Sequence, residues 1–211
     1  TTVSDAQRLA VKCEESLYPV GFDFETRGWK PSFKVEGLLG GLVSTRGLSP
    51  IHPEYRAMPV TFQVSWGMET YVVRGELLYL FANWISRGAE IDFANEHFEG
   101  KVFENVGINF GRAYRDCIAM DFLLEETLRQ RDHGLKKLVR DYLGVEMEQF
   151  ESVFKDQSFE EVLNSDPKSA LRYAGLDALA TTLVCDVLQH HLERRPARDG
   201  YNSYDLYRHW E

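Results

Sequence analysis

Val20-Gly21-Phe22-Asp23-Phe24-Glu25-Thr26 is the stretch on which the fold turns. Val20, Phe22 and Phe24 alternate with Asp23 and Glu25, and in a strand alternate side chains share a face. The pattern predicts a strand with one apolar face and, on the other, two adjacent carboxylates. Like charges side by side repel, so a buried or half-buried pair implies a cation between them. Pro19 closes the segment before it. There, over residues 3–17, Val3, Ala6, Leu9, Ala10, Cys13 and Leu17 recur at helical spacing. That spacing predicts an amphipathic N-terminal helix, with Ser4 and Gln7 at the separation of a capping box.

Working outward, Arg27 to Pro59 is rich in Gly and Pro and reads as a long loop with one apolar stretch, Val35–Val43. Strands are predicted at Val60–Trp66 and Glu69–Val73, joined by a turn at Gly67. A helix is predicted over Glu76–Ser86, with Leu77, Leu80, Phe81 and Trp84 inward. A short buried strand follows at Ile91–Ala94, then a helix over Glu96–Asn105 opening just after Asn95. Two more helices fall at Ile118–Leu128 and Leu135–Leu143, the second ended by Gly144. Phe150–Phe159 reads as a connector. Pro167 opens a long helix to about Arg195, at an early position where its missing N–H is tolerated. The tail from Pro196, with Tyr201, Tyr204, Tyr207 and Trp210, reads as the start of a further element or an interface. Strands early, helices later and one strand returning between helices predict an α/β fold, a mixed central sheet flanked by helices.

Composition narrows the function. A chain of 211 residues can bury a substantial core, with one domain as the default. The formal net charge of −9 argues against coating nucleic acid by bulk attraction, which needs a cationic face. It leaves room for a nuclease, because acids that hold metal ions add to the negative count and the ions reverse the local field. Cys13, Cys117 and Cys185 are far apart with no CxxC spacing, which predicts free thiols in a reducing compartment and no structural zinc. No apolar run is long enough to cross a bilayer and no basic-then-apolar leader marks the start. A cytoplasmic location without membrane association is the expectation, in the host cell if the protein is phage-borne.

Three short segments carry the chemistry. Asp23 and Glu25 share a strand face. Tyr173 and Asp177 lie four apart on the long helix and project from one side. Asn95 and Glu99 are also four apart, just after a buried strand, with His97 beside them as a surface residue. Each is ordinary alone: Asp-x-Glu recurs by chance, tyrosines face cores, and helix glutamates are solvated. Their combination points to oxygen ligands converging on two magnesium-type ions, the apparatus of phosphodiester cleavage.

Together these segments resemble the DEDD-type 3′–5′ exonucleases, of the subgroup with tyrosine in the third motif. They are most similar to proofreading domains of family A DNA polymerases, phage-like ones especially. The first motif is Phe22-Asp23-Phe24-Glu25-Thr26, and the second Phe93-Ala94-Asn95-Glu96-His97-Phe98-Glu99. The third is Tyr173-Ala174-Gly175-Leu176-Asp177-Ala178-Leu179-Ala180-Thr181. Asp116-Cys117-Ile118-Ala119-Met120 and His133-Gly134-Leu135-Lys136-Lys137-Leu138 also resemble family segments, and the likeness spans residues 18–193.

The resemblance implies a ribonuclease H-like fold and two divalent cations, Mg2+ or Mn2+. It gives Asp23 to both ions, Glu25 and Asp177 to the ion that activates water, Glu99 to the second ion, and Tyr173 to the water. Thr26, Asn95 and Phe98 become substrate contacts. The implied partner is a single-stranded 3′ end of DNA, with RNA and attachment to a polymerase module both open. The implied organisation is a packed helix over 1–17, the exonuclease domain over 18–195, and a tail or following element over 196–211.

Phe24, Phe98 and Trp29 are candidates to stack on bases, with core packing the favoured reading of Phe24, and Lys34, Arg46 and Arg56 are candidates to contact phosphates. Lys136, Lys137 and Arg140 read as decoration of a helix. Glu99 departs from the family's aspartate by one methylene, about 1.5 Å of reach. An alternative register, with Asn105 and Asn109 as the second motif, would put an amide at the acidic position. Two other readings stand beside this one. One is a degenerate exonuclease fold serving as a structural or protein-binding module. The other is an RNA-trimming enzyme of the ribonuclease D kind.

Overall fold

The structure, a computed structural model, describes residues 2–27, 34–36, 42–44, 57–124, 133–154, 157–196 and 202–209. It opens with α1 (Val3–Glu14), capped by a reciprocal pair of bonds between Thr2 and Asp5. The predicted Ser4–Gln7 box is therefore two residues late. Asp5 is the better third-position acid, since it also sits in the first turn of the helix dipole. Ala6, Leu9, Ala10 and Cys13 are buried as the periodicity predicts. Val3 is half-exposed and Leu17, beyond the end of the helix, is 90% exposed, so neither belongs to the inner face.

The chain then forms β1 (Val20–Arg27), a small antiparallel pair of β2 (Lys34–Glu36) with β3 (Leu42–Ser44), β4 (Met58–Trp66) and β5 (Glu69–Arg74). A 3-10 segment over Gly75–Phe81 leads into α2 (Ala82–Ser86). Then come β6 (Ile91–Phe93), α3 (Glu96–Asn105), β7 (Arg115–Asp116) and α4 (Cys117–Leu124). α5 (Leu135–Leu138) continues as a π turn over Val139–Leu143. Gly144 ends it in the left-handed conformation, φ 68°, that glycine adopts without steric cost.

The residues expected to form a connector instead contain α6 (Phe150–Phe154) and the Ser158 cap of α7 (Phe159–Ser165). Phe150, Phe154 and Phe159 are what make this segment helical, because the long helix α8 (Pro167–Arg194) offers them Tyr173, Ala170 and Ala174 to pack against. α9 (Ser203–His209) closes the described chain and buries Tyr204 and Tyr207. Trp29, Arg46, Arg56, the side chain of Lys34, Tyr201, Trp210 and the end of the predicted Ile118–Leu128 helix lie outside the described residues.

Five strands make one mixed sheet in the order β5-β4-β1-β6-β7. β4 runs antiparallel to both β1 and β5, and β6 and β7 run parallel to β1. This is the flanked mixed sheet that the order of elements predicts. β7 was not predicted, since two residues are too few to show a period.

The two faces of the sheet differ sharply. Phe22 and Phe24 lie opposite Val64 and Phe62 in the β1–β4 register. With Phe81, Phe93 and Phe103 they build an aromatic layer beneath α1, α2 and α3. Phe22 stacks on Phe62 at 5.5 Å, and Phe24 meets Phe103 edge-on at 5.0 Å. Buried side chains of this size stabilise by roughly 1.5–3 kcal/mol each. The opposite face is polar where α8 crosses it: Asp23, Glu25, Thr61, Gln63, Ser65 and Asp92 all lie on that side.

Two features hold α8 close to this polar face. Buried Arg115 donates two bonds to the Asp92 carboxylate, at 2.8 and 2.6 Å, and reaches Asp186 of α8 at 2.8 Å. Gly21 of β1 lies directly under the helix. A Cβ there would stand 2.5 Å from the carbonyl oxygen of Ala178 and closer still to the Thr182 hydroxyl. Only glycine permits that approach, and Ala178 is the neighbour of Asp177.

Candidate active site

β1 brings Asp23 and Glu25 to the polar face two residues apart, and α8 lowers Asp177 onto them. Carboxylate oxygens of these three residues all lie within 4.8 Å of one another. Tyr173, one helical turn before Asp177, is buried with its ring edge-on to Phe150 and Phe154. Its phenol neighbours the Asp177 carboxylate and favours that carboxylate's charged form.

Glu99 stands apart from the three. It projects from the first turn of α3 and is 3% exposed, with Oε2 lacking any hydrogen-bond partner. Asp23 nevertheless acts on it: burial first, then the Asp23 charge and that of Asp116, push the Glu99 carboxyl well up.

The electrostatics are those of acids crowded together out of water. Burial and the Asp177 charge push Asp23 well above the ordinary aspartate range. Burial, then Asp23 and Asp177, do the same to Glu25. Burial raises Asp177 to about 6, restrained by Lys136 and by the Tyr173 hydrogen bond. Burial and the three neighbouring acids hold Tyr173 as a neutral phenol.

An all-oxygen donor set suits a hard divalent cation rather than zinc or copper. Unpartnered buried oxygens on Glu99 and Asp177 fit the same ligand. The residues present therefore fit magnesium or manganese.

The other expected contacts divide. Asn95 caps α3, its Oδ1 accepting from Phe98 N–H at 3.3 Å, and Phe98 is half-buried against the aromatic layer. Thr26 is half-exposed where the β1–β4 register shifts, immediately after Glu25. Phe24 is core. His97 is exposed. In the alternative register, Asn105 is buried and donates to the Ala57 carbonyl at 2.8 Å, which makes it a structural residue. Asp116 takes the backbone N–H groups of Glu96 and Ala119, joining the starts of α3 and α4.

Two residues of the centre escaped the sequence reading. Lys136 does not merely decorate its helix. Its ammonium donates to the Tyr173 hydroxyl, lies 4.1 Å from the centre of that ring, and favours the charged forms of Asp23, Glu25 and Asp177. A lysine near the family segment that begins at His133 was the available hint, but only the fold shows which way it turns. Gln63 of β4 is fully buried opposite Asp23. Its amide accepts from Thr61 at 2.8 Å and donates to the Asp23 carbonyl oxygen at 2.8 Å and to Asp23 Oδ2 at 3.3 Å. A buried amide of this kind orients a ligand carboxylate.

Fold and centre together define a ribonuclease H-like domain with a carboxylate site for metal ions, the arrangement of a metal-dependent nuclease. The chain belongs to the 3′–5′ exonuclease family, whose match covers residues 1–193. Among solved structures it is similar to a mutant of the catalytic core of RRP6 from Trypanosoma brucei. The TM-score is 0.63 at 16% identity, covering 90% of this chain and 46% of that one. It is also similar to a nuclease solved in its apo form, with TM-score 0.59 at 20% identity, covering 92% of this chain and 79% of that one. The chain thus spans about half the length of the RRP6 core. No curated protein matches it in sequence. No helix among the described residues is long and apolar enough to cross a membrane.

The acid centre makes a pH prediction. A carboxyl whose folded pKa is raised lends stability below its unfolded value, 3.8 for Asp177, and loses it as pH rises through about 6. At neutral pH Asp177 therefore weakens the ion-free fold. In chelator at pH 7.5, Asp177→Asn is expected to be more stable than the parent by on the order of 1–3 kcal/mol, with the gain gone near pH 4. In saturating Mn2+ the order should reverse, since an ion bound only by the folded state adds about 2.7 kcal/mol at a hundredfold excess over its Kd. Thermal melts at the two pH values, with and without the ion, decide this. A parent more stable than the variant in chelator at pH 7.5 contradicts it.

Proposed function

We propose that this domain removes nucleotides one at a time from an unpaired 3′ end of DNA, in the manner of a proofreading exonuclease. The observation that carries the reading is the meeting of Asp23, Glu25 and Asp177, from a strand and a distant helix, beside the Tyr173 hydroxyl. Asp23, Glu25 and Asp177 would hold one ion, and Asp23 with Glu99 a second. When bound, such ions supply Lewis acidity to the attacking water and to the leaving oxygen. Tyr173, kept as a neutral phenol, orients the water in line with the terminal phosphorus. Gln63 keeps Asp23 turned toward the centre. The water gives up a proton as its oxygen bonds to phosphorus, the bond from phosphorus to the 3′ oxygen of the penultimate nucleotide breaks, and that oxygen takes up a proton, so that the two proton transfers balance. The product is a nucleoside 5′-monophosphate and a strand one residue shorter.

The centre acts on the phosphodiester, which DNA and RNA share, so the deciding assay uses both sugars. Single strands labelled at the 5′ end, of DNA and of RNA, are incubated with Mg2+, Mn2+ or chelator. A ladder shortening stepwise from the 3′ end of DNA, and only with the ion, is expected. A clear preference for RNA would instead make this an RNA-trimming enzyme of the ribonuclease D kind. Intact strands with every ion, from folded protein, would leave the protein-binding module as the better reading.

Glu99 gives a sharper test. Its carboxylate stands outside the 4.8 Å group. A site tolerates about 0.5 Å of misplacement, less than the methylene that distinguishes glutamate from aspartate. Glu99→Asp is expected to match or exceed the parent rate in magnesium. Complete loss of activity in that variant would remove Glu99 from the centre.

A further inference from the structure

We propose that Lys136 is a positioning residue of the exonuclease centre, fixing the direction of the Tyr173 hydroxyl; this rests on the reading of Tyr173 given above. Donor counting fixes the direction of the bond between the two side chains. A lysine ammonium has three donors and no acceptor, whereas a phenol has one donor and accepting lone pairs. Lys136 Nζ bonds the Tyr173 oxygen. The tyrosine must therefore be the acceptor, and its own proton must point elsewhere. The other polar neighbour is Asp177, one turn along the same helix, on the side where Asp23 and Glu25 converge. A hydroxyl that could otherwise rotate is held with its proton toward the acids, where the attacking water of the proposed reaction would sit. The adjacent positive charge also makes it a stronger donor.

The position of Lys136 is built, not incidental. An exposed lysine samples many rotamers, and holding one costs up to about 2 kcal/mol of side-chain entropy. Here the backbone that carries it is pinned on both sides to one buried carboxylate. Asp121 of α4, fully buried, lies 2.6 Å from His133 Nδ1, and its other oxygen accepts from the Tyr142 hydroxyl at 2.5 Å. His133 precedes α5 and Tyr142 lies in the π turn that follows it, and Leu138 and Val139 between them are buried beside α8. Lys136 also lies over the Tyr173 ring, so ring and hydroxyl are fixed by the same group.

The test separates this role from two others, a direct phosphate contact and a general structural one. Turnover of a single-stranded DNA is measured for the parent, Lys136→Met, Lys136→Arg, Tyr173→Phe and the Lys136→Met/Tyr173→Phe double variant. In parallel, tyrosine labelled with 13C at Cζ is observed by NMR in chelator, with the Tyr173 signal assigned by its loss in Tyr173→Phe. Lys136→Met is expected to lower kcat by ~10–100-fold, as removing the partner that orients a site's working group does, with KM little changed. Arginine should restore part of the rate. Adding the methionine to Tyr173→Phe should cost almost nothing more, because the two residues act as a unit.

The Tyr173 signal should move in Lys136→Met and stay near its parent position in Lys136→Arg. A Lys136→Met loss of equal size in both backgrounds, a loss confined to KM, or an unmoved Tyr173 signal overturns the proposal. Should the parent itself fail to cleave, the exonuclease reading fails, and the NMR signal alone decides whether Lys136 sets the hydroxyl.

Discussion

Asp23→Ala is expected to abolish stepwise 3′ shortening. Asp23 is the common neighbour of the whole centre: its charge acts on Glu25 and on Glu99, and Asp177 acts on it in turn. No other carboxylate of the site links the Glu25–Asp177 group to Glu99. Removing it both empties the first position and disconnects the second. Losing an outer partner of a metal ligand costs up to ~100-fold, so losing the ligand shared by both positions should exceed that. Calorimetric titration with Mn2+ should show the accompanying loss of binding. The fold should survive, because the deletion relieves repulsion in the ion-free state and leaves the aromatic layer on the other face untouched. A variant that still shortens DNA at a tenth of the parent rate or faster would mean that the acids of this centre are not the catalytic apparatus.

Gly21→Ala is the second large effect, and it acts without touching a charged group. The added methyl would overlap the Ala178 carbonyl and the Thr182 hydroxyl of α8. A helix backbone is not the flexible end of a side chain, so relief requires α8 to move away from β1. Overpacking of this kind costs typically ~1–3 kcal/mol. Asp177 and Tyr173 ride on the same helix, and about 1 Å of displacement at a catalytic centre can cost ~100-fold in rate. The expected result is a folded protein with a lowered Tm, weakened Mn2+ binding and activity reduced by that order, although Asp23, Glu25, Glu99, Tyr173 and Asp177 all remain. Gly21→Ala with parental activity would show that the strand–helix spacing does not set the centre.

Where the sequence can be read and where it cannot follows from the range of the interactions. The strand face that pairs Asp23 with Glu25, and the helix face that pairs Tyr173 with Asp177, are local periodicities visible in a few residues. So are the long helix from Pro167 and the Asn95 cap of α3, which the structure places within a residue of expectation. What was hidden depends on partners far along the chain. α6 and the start of α7 are helical because Phe150, Phe154 and Phe159 find α8, and β7 exists because β6 lies beside it. Gln63 falls within the predicted strand Val60–Trp66, but only the β1–β4 register sets it against Asp23. Lys136 looked like any helix lysine, since nothing in its neighbours announces a tyrosine many residues away. The N-terminal cap was missed for a smaller reason: Thr2–Asp5 and Ser4–Gln7 share the same spacing, and the pattern alone does not rank them.

One consequence follows from the way β1 and α8 share the acids. Neither stretch can bind a divalent ion in the proposed manner alone, and they enter the folded body from opposite ends of the sequence. During synthesis the strand would leave the ribosome well before the helix, as any N-terminal segment does. A nascent chain therefore carries half of a cutting tool beside the messenger that encodes it. On the proposed reading, the blade is assembled only when the helix settles over the glycine, and a polypeptide interrupted before that point would lack it.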